Sequence, residues 1–130
     1  MNETTTNVDG DVVINFPAKS GFLGLCRVNV SAVGGMLDFD IDVLDDLRLA
    51  VTEAVQWLLD GAADDSGATL RIGMGTNSLS FSATCANRSG AAAEIDDLAS
   101  AILGATVDSF EGSVAGDVRR IAFTRSVVDE

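Results

Sequence analysis

The sequence contains no histidine and no tyrosine, one proline, one lysine, one tryptophan and two cysteines. Without histidine the chain lacks the usual near-neutral base, pH switch and imidazole metal ligand. Cys26 and Cys85 are far apart and cannot supply a zinc site by themselves. In a chain with no export signal they are expected to be free, buried thiols rather than a disulfide. No basic segment followed by an apolar core opens the sequence, so the expected compartment is the cytoplasm. No apolar run approaches the roughly 20 residues that a membrane helix needs. Basic charge is scarce too: 8 Lys and Arg against 20 Asp and Glu give a net charge of -12. That balance argues against nucleic acid and anionic membrane surfaces as partners. It suits a partner that is basic, or locally basic.

What is present is a globular composition. The 130 residues are 47% hydrophobic and 22% charged, enough for one domain with a sizeable core. The polar opening "MNETTTNVDG" (1–10) reads as a flexible tail, and 11–130 as a single domain. "DVVINF" (11–16) reads as a strand that stops at Pro17. Ser20 is expected to cap a helix running to about Met36, with Phe22, Leu25, Cys26, Val33 and Leu37 inward and Gly34-Gly35 marking a fraying end. A second helix is expected over 41–60, capped by Asp40 or Asp42, burying Leu44, Leu47, Val51, Ala54, Val55 and Leu58, and stopping at Gly61. "ATLRIGMG" and "SLSFSATCA" form a hairpin across "GTNS". A third helix is expected over 94–104, with Ile95, Leu98, Ala99 and Ile102 inward. Two strands, 105–112 and 117–127, close the chain around "SVAG". The order β-α-α-β-β-α-β-β predicts an α+β, two-layer α/β sandwich: a mixed, mostly antiparallel sheet with three helices on one face.

The segment "FPAKSGFLGLCRVNVSAVGGMLDFDIDVLDDLRLAVTEAV" (16–55) resembles the start of the anti-sigma regulatory factors. These are serine-protein kinases of the histidine-kinase-like (Bergerat) ATPase superfamily. The carrying pieces are a strand ending in "PA", a helix with "RVNVSA" and a second helix with "DDLRLAVTEA". The resemblance extends over roughly 11–127 and is specific over 16–55. It implies the histidine-kinase-like ATPase fold, here with a minimal lid, and a Mg·ATP site.

Carried over residue by residue, that site is degenerate. Glu53 falls on the family's general-base glutamate. Four positions on, the Mg²⁺-ligating asparagine is replaced by Trp57, whose indole has one N–H donor and no oxygen for a hard cation. The adenine-binding Asp-x-Gly-x-Gly falls on Cys85, Asn87 and Ser89, or two residues later, and neither register keeps it. The phosphate-holding glycines fall on about "DDLAS", where Asp96 and Asp97 would face a triphosphate. Only "NRSGAAA" stands in place of the lid. A narrowed or collapsed cleft is therefore expected, with no cofactor bound.

Each residue also has a plainer reading. Glu53 is a general base or a solvated relic, Trp57 core packing, and Cys85 a buried strand thiol. Asp96 and Asp97 are helix-cap and dipole partners. Arg27 lies on the segment through which the family engages its partners; the alternative is an exposed arginine paired with a nearby acid. The resemblance thus implies a partner-switching regulator that binds a sigma factor or an antagonist protein and dimerises through its first helix. Two other readings stay open: an active ATP/Mg-dependent kinase with an atypical site, and a dimeric scaffold or small-ligand binder outside sigma regulation.

Overall fold

The computed structural model describes residues 11–127; the tail assigned to 1–10 lies outside the described residues. Strand β1 (Val12–Pro17) leads through a 3₁₀ turn, Ser20–Phe22, into α1 (Leu23–Met36) and α2 (Ile41–Asp60). The hairpin β2 (Gly67–Gly75) and β3 (Ser78–Ala86) follows, then α3 (Asp97–Thr106) and the hairpin β4 (Ser109–Ala115) and β5 (Val118–Ser126). The element order agrees with the sequence reading.

The five strands form one sheet in the order β1-β2-β3-β5-β4. Every adjacent pair is antiparallel, so the sheet is not mixed as expected. The reason is the last hairpin. The α3 crossover carries the chain to the sheet edge at β4, and β5 returns between β3 and β4. Two strands of the same direction are thereby kept from becoming neighbours.

Strand parity sorts the two faces. Leu70, Ile72, Leu79, Phe81, Ala83, Ile121 and Phe123 point inward and are at most 1% exposed. Phe81 and Phe123 are register partners, and their rings stack at 4.6 Å between centroids. From the helical layer, Leu47, Ala50, Val51, Ala54, Val55 and Leu58 of α2 close the core at 0% exposure. Each large aliphatic side chain so buried contributes about 1.5–3 kcal/mol.

Local chemistry explains the helix limits and several differences from expectation. Asp40 caps α2, its Oδ1 accepting from Val43 N at 3.0 Å. Ser20 does not cap α1: it opens the 3₁₀ turn, and α1 starts without a side-chain cap. Gly34 is not a fraying end. It is buried, and a Cβ there would lie 2.6 Å from Leu44 Cδ2, so this glycine lets α2 approach closely. Leu25 is 43% and Leu98 71% exposed, both outward rather than inward. The α3 helix starts three residues later than expected, because Asp96 is its cap. The last turn is Gly116-Asp117 rather than "SVAG", since Gly116 adopts φ 62° at the tip.

Candidate functional site

Glu53 and Trp57 stand one turn apart on α2 and meet different surroundings. Glu53 is half-buried and has no ion pair among the described residues. Trp57 is 7% exposed, and its Nε1 donates to the Glu94 carbonyl at 2.9 Å. Its ring edge lies against Gly112 of β4, where an added Cβ would stand 3.2 Å from Trp57 Cη2 and 2.9 Å from Ile95 Cδ1. The indole therefore fills the space between α2, the end of the sheet and the segment that precedes α3.

At its centre is a residue the sequence reading missed. Arg119 of β5 is 3% exposed, and its guanidinium carbon lies 3.7 Å from the Trp57 ring centroid. Its Nε and Nη2 donate to the Trp57 carbonyl at 3.2 and 2.9 Å. Its Nη1 donates to the Ala92 carbonyl at 2.7 Å and to Asn87 Oδ1 at 3.2 Å. Among the described residues, no carboxylate forms an ion pair with it. A buried cation needs compensation. Here it comes from the aromatic face and from a carbonyl in the last turn of α2, the negative end of the helix dipole. Burial pulls the Arg119 pKa below its ordinary value, with the Cys85 side chain partly offsetting the effect and Arg88 reinforcing it. Arg88 supports the same helix end, donating to the Asp60 carbonyl at 2.6 Å.

The pocket is shaped around this cation. Gly61 follows α2, and a Cβ there would collide with the Arg119 guanidinium. Gly61 has φ -104°, so the requirement is room and not an unusual backbone. Cys85 is the register partner of Arg119. It is 5% exposed, with its Sγ 3.7 Å from the Leu58 carbonyl. Burial pushes the Cys85 thiol pKa up, with Arg119 partly opposing the shift. Cys26 is buried as well, and both cysteines are free.

The structure thus brings Trp57, Cys85 and Asn87 together around Arg119. It leaves the other predicted positions outside this cluster. Ser89 is exposed in the loop between β3 and α3. Asp96 accepts from Ala99 N at 2.7 Å as the N-cap of α3, and Asp97 is exposed in the first turn. Alternation along "VRRIAF" offered a signal for Arg119: it puts residue 119 on the same face as Ile121 and Phe123. An arginine at an inward position calls for a polar partner, but the sequence does not say which carbonyls meet it.

Arg27 lies elsewhere, on α1. It is half-buried, and its Nη1 lies 3.4 Å from Thr52 Oγ1. Its expected acidic neighbour does not appear among the described residues. A cavity of about 630 Å³ opens beside it, between α1 and α2.

No known family profile matches the chain. A 56-residue stretch, 43% of the chain, is 36% identical to the serine-protein kinase RsbW of Halalkalibacterium halodurans. The aligned stretch is 35% of that protein, so the likeness spans about a third of the curated relative's length.

Proposed function

We propose that this protein is a regulator of the anti-sigma type, which acts by binding a partner through its helical layer without hydrolysing or transferring phosphate. One observation carries the reading: Trp57, on the position where the resemblance implies a metal-ligating asparagine, is buried and stacked on the buried Arg119. Trp57 offers no oxygen to a hard cation. Trp57 and Arg119 both hold the following segment shut, through the Glu94 and Ala92 carbonyls. In this reading Glu53 is a relic, because no cradle for a triphosphate remains beside it.

The partner is a sigma factor or an antagonist protein of such a factor, engaged at Arg27. The resemblance over 16–55 implies that class, and the partial likeness to a serine-protein kinase supports it. The protein works in the cytoplasm as a homodimer through α1, where Leu25 and Met36 are 43% and 69% exposed.

Calorimetric titration with Mg·ATP and Mg·ADP tests the proposal. The expected result is no binding up to millimolar nucleotide. Micromolar binding would sink it and restore the kinase reading, with Glu53 as base. If a candidate sigma factor or antagonist binds the wild type and Arg27→Ala equally, Arg27 has no such role and the scaffold reading gains.

A further inference from the structure

The sheet face turned away from the helices presents side chains of one strand parity. Arg71 and Gly73 of β2, Ser80 and Ser82 of β3, and Arg120 and Ala122 of β5 surround a cavity of about 220 Å³ there. That is less than the roughly 300–1,000 Å³ of a drug-sized site, so the cavity suits a small occupant. Serine and alanine side chains keep its floor shallow and polar. A Cβ on Gly73 would stand 2.5 Å from Ser80 Oγ, so the glycine leaves that end of the hollow open.

Two of the chain's 8 basic residues line this hollow, and the strand register places them. Ser82 pairs with Arg71 on one side and with Ala122 on the other, and Arg120 precedes Ala122 by two residues. Strand spacing and rise then put the two arginine Cα atoms about 12 Å apart, diagonally across Ser82. Each guanidinium leans on a carboxylate at the outer edge. Arg71 Nη1 donates to Asp11 Oδ2 at 3.2 Å, and Arg120 Nη1 lies 3.6 Å from Glu111 Oε2. The side chains of the first pair are 55% and 41% exposed, those of the second 43% and 75%. Exposed pairs of this kind are worth little and exchange readily. A guanidinium has five N–H donors, and neither arginine has a further hydrogen-bond partner among the described residues.

We propose that this hollow binds a small aliphatic dicarboxylate, with one carboxylate on each guanidinium and its short chain over Ser82 and Ala122. The groups these arginines already hold are carboxylates, which identifies the chemistry that fits them. Two guanidiniums on opposite sides of one small cavity favour a dianion, since a monoanion meets only one of them. The net charge of -12 does not exclude such a ligand. At physiological salt, charges more than about 8 Å away are screened, and the nearest charges are the two arginines. Asp11 and Glu111 compete with the ligand and so set its affinity. The site lies on the face opposite the helical layer, and the inference goes beyond the proposed function without depending on it.

The test titrates the full ¹⁵N-labelled chain with glutarate at constant ionic strength, with butyrate and sulfate as controls. Glutarate is expected to shift amides in 71–73, 80–82 and 120–124 and to saturate at about millimolar concentration. Butyrate should bind at least about tenfold more weakly, and sulfate at least about fivefold. Arg71→Gln and Arg120→Gln should each weaken glutarate binding by about fivefold or more. Asp11→Asn and Glu111→Gln should each strengthen it by about twofold. Unshifted amides in α2 show that each variant keeps its fold.

Equal affinity for glutarate and butyrate, or shifts mapping to the helical layer, would overturn the proposal. Sulfate binding as tightly at the same amides would reduce the site to a general anion patch and also refute it. An affinity unchanged by either arginine substitution would remove the two-arginine site, even where the other substitution weakens binding. Nucleotide binding by calorimetry would refute the proposed function and leave the glutarate results standing, so the two failures are distinguishable.

Discussion

Replacing Arg119 by Met keeps most of the apolar stem and removes the guanidinium. The arginine makes four hydrogen bonds, two of them to the same Trp57 carbonyl. Three acceptor groups therefore lose a donor. The Trp57 carbonyl is the costly one, and leaving a buried acceptor unmet costs about 1–3 kcal/mol. The Ala92 carbonyl and the Asn87 side chain have water nearby, since Ala92 is exposed and Asn87 only half-buried, and they lose less. The stack on the indole adds about 1 kcal/mol. Against these stands the desolvation of a guanidinium 3% exposed, several kcal/mol that the methionine never incurs. The two sides nearly cancel, so global stability is expected to change by no more than about 1 kcal/mol, while the local cost falls on the segment before α3. Urea unfolding measures the net change, and hydrogen exchange reads the local cost. The amide of Ala91, which donates to the Arg88 carbonyl at 2.9 Å, should lose protection while those of β3 and β5 keep theirs. Unchanged exchange at Ala91 would refute the claim that the cation ties this segment down.

Two glycines should respond in opposite directions. Gly61→Ala drives a Cβ into the guanidinium and should destabilise by about 2 kcal/mol or more. Gly35→Ala meets nothing within 4 Å and should stabilise α1 by about 0.5–1 kcal/mol in the same denaturation assay. Burial, partly offset by a backbone hydrogen bond and by Arg27, pushes the Cys26 thiol up to about 11 from 9.0. The unfolded thiol thus ionises first, so stability is full below pH 9 and falls as pH rises towards 11. Thermal melts across that window should show the slope, and Cys26→Ala should reduce it, leaving the part that comes from the buried Cys85 thiol.

Local chemistry made much of the fold readable. Asp40 announced the start of α2 through its capping carboxylate, and Asp96 was readable as a cap although its helix was expected from 94. "SLSFSATCA" read as a hairpin strand with Cys85 as a buried thiol, as found. The errors occurred where a long-range partner decides the outcome. Leu25 and Leu98 fit a helical stripe by period, yet the actual packing turns each helix to leave them outside. The sheet became wholly antiparallel because β5 inserts beside β3, a pairing between residues about 40 apart that no short motif encodes. The candidate site divided in the same way. Trp57 was conspicuous against the resemblance, whereas Arg119 gained its meaning only when its carbonyl partners were located.

Because the chain has one tryptophan and no tyrosine, the indole packed against the segment before α3 is also its dominant near-ultraviolet chromophore. Its emission arises from a ring stacked on Arg119 and hydrogen-bonded to the segment before α3. Any opening of that segment admits water to the ring and moves the emission to longer wavelength. The protein carries its own optical gauge of this closure, readable at micromolar concentration without a label and on the timescale of mixing.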